Sequence, residues 1–158
     1  DTGAVTQTGG RLKRVEKFLE DEFFFTYGDG LSDINIKKLY QHHSDSKALA
    51  TLSAVFAPGR FGALSISKDK VTSFKEKPLG DNSRINGGFF VLNKKVIDLI
   101  DSDETIWEKS PLENLSQNNQ LAAYLHDGFW QPMDTLRDKM YLSKLWENQQ
   151  APWKIWND

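Results

Sequence analysis

Short apolar runs of strand length alternate along this chain with stretches of helical periodicity, and this alternation restricts the possible folds more than any other feature. Helices and strands that alternate in sequence pack as layers, so we predict an α/β fold. The clearest run, residues 23–27, is stopped by Gly28, Asp29 and Gly30. It predicts a strand that is buried on both faces and ends in a tight turn.

The other elements follow from the same two periodicities and from their turn residues. Ser32 or Asp33 is expected to cap a helix after the first strand. The residues predicted to form the inner face of that helix are Ile36, Leu39, Tyr40 and His43. Further strands are predicted at residues 49–56, 61–67, 71–77, 85–92 and 121–125, with a hairpin over 61–77. Further helices are predicted at residues 96–100, at residues 112–115 and from Asp134 onward.

Composition excludes several classes of function. The chain has 158 residues, 39% of them hydrophobic, which suits a single domain with a proper core. A net charge of −2 provides no general basic surface for nucleic acid. The absence of cysteine excludes disulfides, thiolate zinc sites and cysteine nucleophiles. No apolar run is long enough to span a bilayer and no signal peptide is visible, so we expect a cytoplasmic protein without membrane partners.

Two aspartates are candidates for a metal site. Asp29 follows the first strand, where open α/β sheets bind ligands, and its flanking glycines allow a nucleotide to approach the backbone. Such a carboxylate suits phosphate-bound magnesium, although a plain Asp-Gly turn would leave the same pattern. Asp134 precedes a predicted helix, and taken alone it is better explained as the N-cap of that helix. A carboxylate facing Asp29 would complete a metal site.

Two further motifs combine polar groups that suit a phosphorylated ligand. In Glu76-Lys77-Pro78 the carboxylate can accept hydrogen bonds from sugar hydroxyls and the lysine can neutralise a phosphate, unless this is only a solvated loop end. In residues 8–14 a glycine pair allows close approach to a flat base, and three cations suit phosphates. That segment lacks P-loop spacing and could be a flexible turn. The three histidines show no metal-ligand spacing and are assigned to packing and surface roles.

Taken in order, these motifs resemble the glucose-1-phosphate cytidylyltransferases. The resemblance spans essentially the whole chain, and its run 128–139 is specific to that group rather than to sugar nucleotidyltransferases at large. The stretches that carry it are Asp1-Thr2-Gly3, residues 8–15, Thr26-Tyr27-Gly28-Asp29-Gly30, Pro58-Gly59-Arg60-Phe61-Gly62, Glu76-Lys77-Pro78, residues 86–92, residues 128–139 and Ala151-Pro152-Trp153-Lys154.

The resemblance implies a Rossmann-like mixed-sheet fold of the nucleotide-diphospho-sugar transferase type. The family's Gly-Gly-x-Gly-Thr-Arg loop and Pro-Lys-Pro segment are not in this sequence. We therefore expect residues 1–158 to be one domain, the C-terminal portion of a nucleotidyltransferase without its N-terminal nucleotide-binding segment, and to be inactive alone. Gln7 stands where the family pattern has Met, which affects local packing or the base pocket.

The implied reaction joins CTP and α-glucose 1-phosphate into CDP-glucose and pyrophosphate. Asp29 and Asp134 would be the catalytic residues that hold Mg²⁺. Glu76 and Lys77 would hold the sugar phosphate. The residues implied to surround the substrates are Thr8, Gly9 and Gly28 on the nucleotide side, and Gly62, Glu76, Lys77, Asn86 and Gly87 on the sugar side.

Two other functions stay open from the sequence. One is a sugar-1-phosphate nucleotidyltransferase that uses dTTP or UTP, because a few contacts decide the base. The other is a non-catalytic fragment that binds sugar phosphate or mediates oligomerisation through the aromatic tail, residues 151–156. That tail is too aromatic to remain in water, so we expect it to pack on the domain or on a partner subunit. In the family the product feeds 3,6-dideoxyhexose synthesis for surface polysaccharide, and we expect the intact enzyme to be a homo-oligomer.

Overall fold

The structure is a computed structural model that describes residues 1–59, 63–76 and 83–156. Its α-helices are α1 (Thr8–Arg14), α2 (Ile36–Ser46), α3 (Ser110–Gln117) and α4 (Leu136–Glu147). Its strands are β1 (Glu22–Thr26), β2 (Gly30–Ser32), β3 (Ala50–Phe56), β4 (Ala63–Ser67), β5 (Lys70–Lys75), β6 (Arg84–Asn93), β7 (Leu121–Leu125) and β8 (Trp130–Pro132). Short 3₁₀ helices cover Glu16–Phe18 and Lys94–Leu99. The predicted α/β class is confirmed.

The largest sheet has the strand order β1-β6-β3-β7. β1 runs antiparallel to β6, with Phe25 opposite Phe90. Between β3 and β7 the hydrogen bonds advance along both strands together, from Ala50 N to Gln120 O and from His126 N to Ala54 O. That progression is the pattern of a parallel pair, so the sheet is mixed, as predicted. β2 pairs with β8, and β4 pairs with β5.

The chain divides into two compact units. The first consists of Asp1–Thr26, Asn35–Ser53 and Gly88–Tyr124, and the second of Tyr27–Ile34, Ala54–Gly87 and Leu125–Asp158. The assignment of residues 1–158 to one domain stays a prediction. Among the described residues, no helix combines the length and apolar character needed to cross a bilayer.

An aromatic cluster lies in the core of the first unit. The fully buried Trp107 packs edge-on against Phe25 and Phe90, with ring centroids 6.3 and 6.1 Å away. The prediction that the first strand is buried on both faces is wrong, because exposure alternates along β1. Phe24 points to the opposite face from Phe25 and is 54% exposed. An apolar run can specify a strand, but the layers that cover it come from elsewhere in the chain.

Helix α2 begins later than its predicted cap. The side chain of Asn35 accepts a hydrogen bond from the backbone of Lys38, so Asn35 is the N-cap rather than Ser32 or Asp33. Ser32 belongs to β2 instead. On the predicted inner face Leu39 and His43 are buried, whereas Ile36 and Tyr40 remain exposed.

The second unit holds two small antiparallel sheets and α4. The predicted hairpin is confirmed as β4 and β5, joined by Lys68 and Asp69 in left-handed conformation. The predicted strand ends at 61–62 and 77 lie outside the described residues. In the tail, Trp153 packs on Phe129 with centroids 5.5 Å apart, whereas Trp156 is exposed. The prediction that the tail packs on the domain is therefore confirmed for Trp153 but not for Trp156.

His43 is buried in the first unit as a neutral hydrogen-bonding group. Its Nδ1 lies 2.9 Å from the hydroxyl of Thr51, and its Nε2 lies 3.9 Å from the carboxylate of Glu22. Burial lowers the pKa of His43 below its ordinary 6.5, and Glu22 only partly counteracts this. Between the two pKa values the unfolded chain binds more protons than the folded one. Stability from His43 is therefore complete above pH 6.5 and is lost as the pH falls toward the folded pKa.

We expect the free energy of unfolding to fall as the pH is lowered from about 8 to 5, and this fall to be smaller in His43→Gln, which cannot titrate. Urea denaturation at several pH values measures the difference. His42→Gln, at an exposed position of α2, controls for the loss of a histidine. An identical pH dependence in wild type and His43→Gln would contradict the assignment.

Candidate functional site

A short antiparallel ribbon brings together two carboxylates that are far apart in sequence. β2 and β8 pair with Gly30 opposite Pro132, and one residue further on Met133 N donates to the carbonyl of Asp29 over 2.7 Å. Asp29 immediately precedes β2, and Asp134 follows shortly after β8. Because the strands are antiparallel, both aspartates lie at the same end of the ribbon.

That end of the ribbon opens into a cleft of about 480 Å³. Its polar side chains include the two predicted carboxylates and the predicted Asn86, and its aromatic ones are Tyr27 and Trp130. The residues that line it are Tyr27, Asp29, Gly30, Ala57, Pro58, Ile85, Asn86, Gly87, Trp130, Pro132 and Asp134. The second unit thus assembles Asp29, Asn86, Gly87 and Asp134 in one place.

Hydrogen bonds hold the walls of the cleft. The indole N–H of Trp130 donates to the carbonyl of Gly87 over 2.8 Å, and the amide of Asn86 donates to the hydroxyl of Tyr27 over 3.2 Å. Sequence reasoning did not single out Tyr27 or Trp130. Both residues belong to the motifs that carry the candidate carboxylates. Trp130 is two residues before Pro132, so side-chain alternation along β8 places both on the same face of the strand, and this could have indicated that Trp130 lines the site.

Asp134 is not the helix cap that the sequence also allowed. Helix α4 starts with Thr135 as N-cap, and Thr135 and Asp138 form a reciprocal capping box. This leaves the Asp134 carboxylate on the cleft rather than on the helix terminus.

The carboxylates offer hard oxygen ligands. No group of three or more His, Cys, Asp or Glu side chains that could hold a metal ion occurs in the described part of the chain. Mg²⁺ is bound at many phosphate sites by one or two carboxylates together with substrate oxygens, so the pair fits Mg²⁺ in the presence of a phosphate ligand.

Thr8 and Gly9 lie in the first unit, in α1 rather than in a flexible turn. The Thr8 hydroxyl donates to Glu108 over 2.7 Å and accepts from the backbone of Trp107 over 2.9 Å. A Cβ at Gly9 would lie 2.7 Å from the carbonyl of Thr105, and one at Gly10 would lie 2.5 Å from backbone atoms of Asp103. The glycine pair is therefore required for packing of α1, and its contact with a base stays a prediction.

The other predicted residues are less defined. Gly28 has no atom within 4 Å of the position a Cβ would take, so the space beside it is open. Glu76 follows β5 in the second unit. Gly62 and Lys77 lie outside the described residues. None of these assignments is tested by the arrangement of the described residues.

The family comparison places the chain in a nucleotide-transferring class of proteins. The nucleotidyl transferase family model matches residues 5–157, and the chain belongs to that family. Within it, the chain is 58% identical to the glucose-1-phosphate cytidylyltransferase of Salmonella typhi, over 99% of this chain and 62% of that protein. It is 39% identical to the probable glucose-1-phosphate cytidylyltransferase of Bacillus subtilis (strain 168), with the same coverage. The resemblance inferred from the motifs is confirmed.

Solved structures share the fold. HddC from Yersinia pseudotuberculosis superposes with a TM-score of 0.65 at 24% identity, over 91% of this chain and 64% of that one. A putative glucose-1-phosphate thymidylyltransferase from Bacillus anthracis, in complex with a sucrose, gives 0.68 at 16% identity, over 99% and 64%. The chain spans less than two thirds of the length of its curated relatives.

Proposed function

We propose that the protein carrying this chain transfers a cytidylyl group from CTP to α-glucose 1-phosphate, yielding CDP-glucose and pyrophosphate. The observation that carries the proposal is the meeting of Asp29 and Asp134 on one cleft, in a chain 58% identical to a glucose-1-phosphate cytidylyltransferase. Two carboxylates at the end of a ribbon suit a reaction between two phosphorylated molecules, because they could hold a metal ion that neutralises phosphate charge.

In this reaction an oxygen of the sugar phosphate attacks the α-phosphorus of CTP, the bond to the β-phosphate oxygen breaks, and pyrophosphate leaves in line. No covalent bond to the protein is needed, so catalysis rests on positioning and on charge stabilisation. Mg²⁺, held by Asp29 and Asp134, would supply neutralisation of the phosphate oxygens.

The sugar fits the other side of the cleft. Tyr27 and Trp130 present aromatic surface beside the polar groups of Asn86 and Gly87, which suits a ring that has both apolar faces and hydroxyl edges. Trp130 holds the Gly87 carbonyl in place through its indole N–H.

The remaining roles follow the resemblance. Glu76 would accept from hexose hydroxyls and Lys77 would neutralise the sugar phosphate, with Gly62 beside the glucosyl group. Thr8 and Gly9 are assigned to the cytosine, and Gly28 to close approach of the nucleotide. We also propose that the intact protein is a homo-oligomer that works in the cytoplasm. Exposed apolar side chains in the second unit, which support association, include Leu136, Met140, Trp146, Ile155 and Trp156.

The test is pyrophosphate release by the full-length protein with glucose 1-phosphate, Mg²⁺ and each of CTP, dTTP and UTP. We expect turnover with CTP at a kcat/KM at least about tenfold above that with the other nucleotides, and negligible turnover by residues 1–158 alone. Preference for dTTP or UTP would replace the assigned base but keep the reaction class. Binding of glucose 1-phosphate without any turnover would favour the non-catalytic alternative.

A further inference from the structure

A partly buried polar cluster closes the end of the β2–β8 ribbon opposite the two carboxylates. Its centre is Nε2 of His126, whose side chain is only 10% exposed. This nitrogen lies 3.0 Å from Oδ1 of Asp33, 3.1 Å from Oγ of Ser32 and 3.3 Å from the carbonyl of Phe129. The backbone N–H of Asp33 also donates to the carbonyl of Phe129, over 3.2 Å.

The partners determine which atom carries the proton. The Ser32 hydroxyl donates to the carbonyl of Phe129 over 2.8 Å, so its oxygen is left to accept, and it already accepts from the backbone of Ile34. The carbonyl of Phe129 and the carboxylate of Asp33 can only accept. Nε2 of His126 must therefore bear hydrogen, which it shares between the Ser32 hydroxyl oxygen and the carbonyl of Phe129. Oδ1 of Asp33 lies beside this nitrogen but accepts no hydrogen bond from the described residues. His126 thus ties Ser32 to the chain leading into β8 and packs against the Asp33 carboxylate.

Gly128 is part of the same arrangement. A Cβ at this position would lie 2.4 Å from Oδ1 of Asp33 and 2.8 Å from Cε1 of His126. Any larger residue would have to displace the carboxylate from the histidine. The cluster is thus matched to glycine at position 128.

The ribbon needs such a device because it is short. β2 and β8 have three residues each, and an isolated two-stranded ribbon of this length is only marginally stable. A slip of one residue would move every side chain of β8 to the other face. Trp130 and Pro132 line the carboxylate cleft, whereas Gln131 lines a separate cleft of about 300 Å³. A slip would exchange these faces and move Met133 away from Asp29.

We propose that His126, with Asp33 and Gly128, sets the register of the ribbon and thereby holds Asp29 and Asp134 together on the cleft. His126 is then a positioning residue, not a catalytic one. Its consequence for catalysis rests on the proposed function, whereas its effect on register does not.

The experiment follows the backbone amide of Met133, which donates to Asp29 at the opposite end of the ribbon. Hydrogen exchange is measured on the full-length protein in wild type, His126→Phe, His126→Gln and Gly128→Ala. His42→Phe is the matched control at an exposed histidine. Titration with Mn²⁺, in the presence of CTP, reports the carboxylate pair independently of turnover.

We expect Met133 to lose at least about tenfold protection in His126→Phe and Gly128→Ala, with the amides of β6 unchanged. Mn²⁺ affinity should fall about 10- to 100-fold in the same variants, the range for groups that orient metal ligands. In His126→Gln the side-chain amide can place an N–H near the position of Nε2, so this variant should retain much of the Met133 protection and of the Mn²⁺ affinity. His42→Phe should change neither the protection nor the affinity.

Unchanged protection of Met133 in His126→Phe and Gly128→Ala would overturn the proposal. Equal loss at Met133 and in β6 would also overturn it, since this would indicate general destabilisation. A third outcome separates the two proposals. If the variants lose protection only at Met133 but the wild-type protein binds no Mn²⁺, the role of His126 in strand register is supported and the proposed function is refuted.

Discussion

Replacing either cleft aspartate by asparagine should lower kcat by at least about a hundredfold, the scale seen when one charge-stabilising group is removed from an active site. Asparagine keeps the shape of Asp29 or Asp134 and removes the negative charge that would hold Mg²⁺. Because the two groups are proposed to hold the same metal ion, the double variant should lose far less than the product of the single losses. Steady-state rates of pyrophosphate release, at saturating CTP and glucose 1-phosphate, measure all three.

Asp69→Asn is the matched control, because this residue lies in the exposed turn between β4 and β5 and asparagine tolerates its left-handed conformation. Its rate should equal that of wild type. A near-normal kcat in Asp134→Asn would show that Asp134 has no role in catalysis. The helix-cap role would not explain this residue either, because Thr135 caps α4. Multiplicative losses in the double variant would show that the two carboxylates act separately.

The largest effect on stability is expected at Trp107. Truncation of this fully buried side chain to alanine should cost about 3–5 kcal/mol, since it removes the ring that packs against both Phe25 and Phe90. Trp107→Phe should cost much less. It keeps an aromatic ring in the cluster, and the buried indole N–H has no hydrogen-bond partner among the described residues. Urea unfolding measures both changes.

Trp156→Ala provides the comparison, because this tryptophan is 52% exposed and should change the free energy of unfolding by no more than about 0.5 kcal/mol. Equal costs for Trp107→Ala and Trp107→Phe would mean that the N–H is the important group and that a partner satisfies it.

Local sequence patterns predicted most of the elements correctly. The apolar segments at residues 49–56 and 85–92 predicted β3 and β6, and the polar turn at Lys68 and Asp69 predicted the hairpin, because segment hydrophobicity and turn chemistry are properties of neighbouring residues. Burial was harder to predict. Phe24 and Phe25 look equivalent in the sequence, yet only Phe25 packs against Trp107, which comes from a distant segment.

The candidate site shows the same division. Asp29 and Asp134 could be selected from the sequence as carboxylates at element boundaries, and the resemblance of the chain to a known family implied a shared role for them. Each also had a purely local explanation, an Asp-Gly turn for Asp29 and a helix N-cap for Asp134. The structure removed one of these explanations by assigning the cap of α4 to Thr135. It also connected His126, which the sequence assigned with the other histidines to packing and surface roles, to the strand pair that carries both carboxylates.

The amino-acid sequence by itself determined the α/β class, the family and the identity of the chemical groups available, since these depend on periodicity, on residue type and on motifs read along the chain. The tertiary structure alone decided that β1 ends its sheet, that α1 requires glycines at 9 and 10, and that Asp29 and Asp134 share a cleft. These three facts depend on contacts between residues far apart in the chain. Such contacts arise from strand register and side-chain packing, which no local pattern encodes.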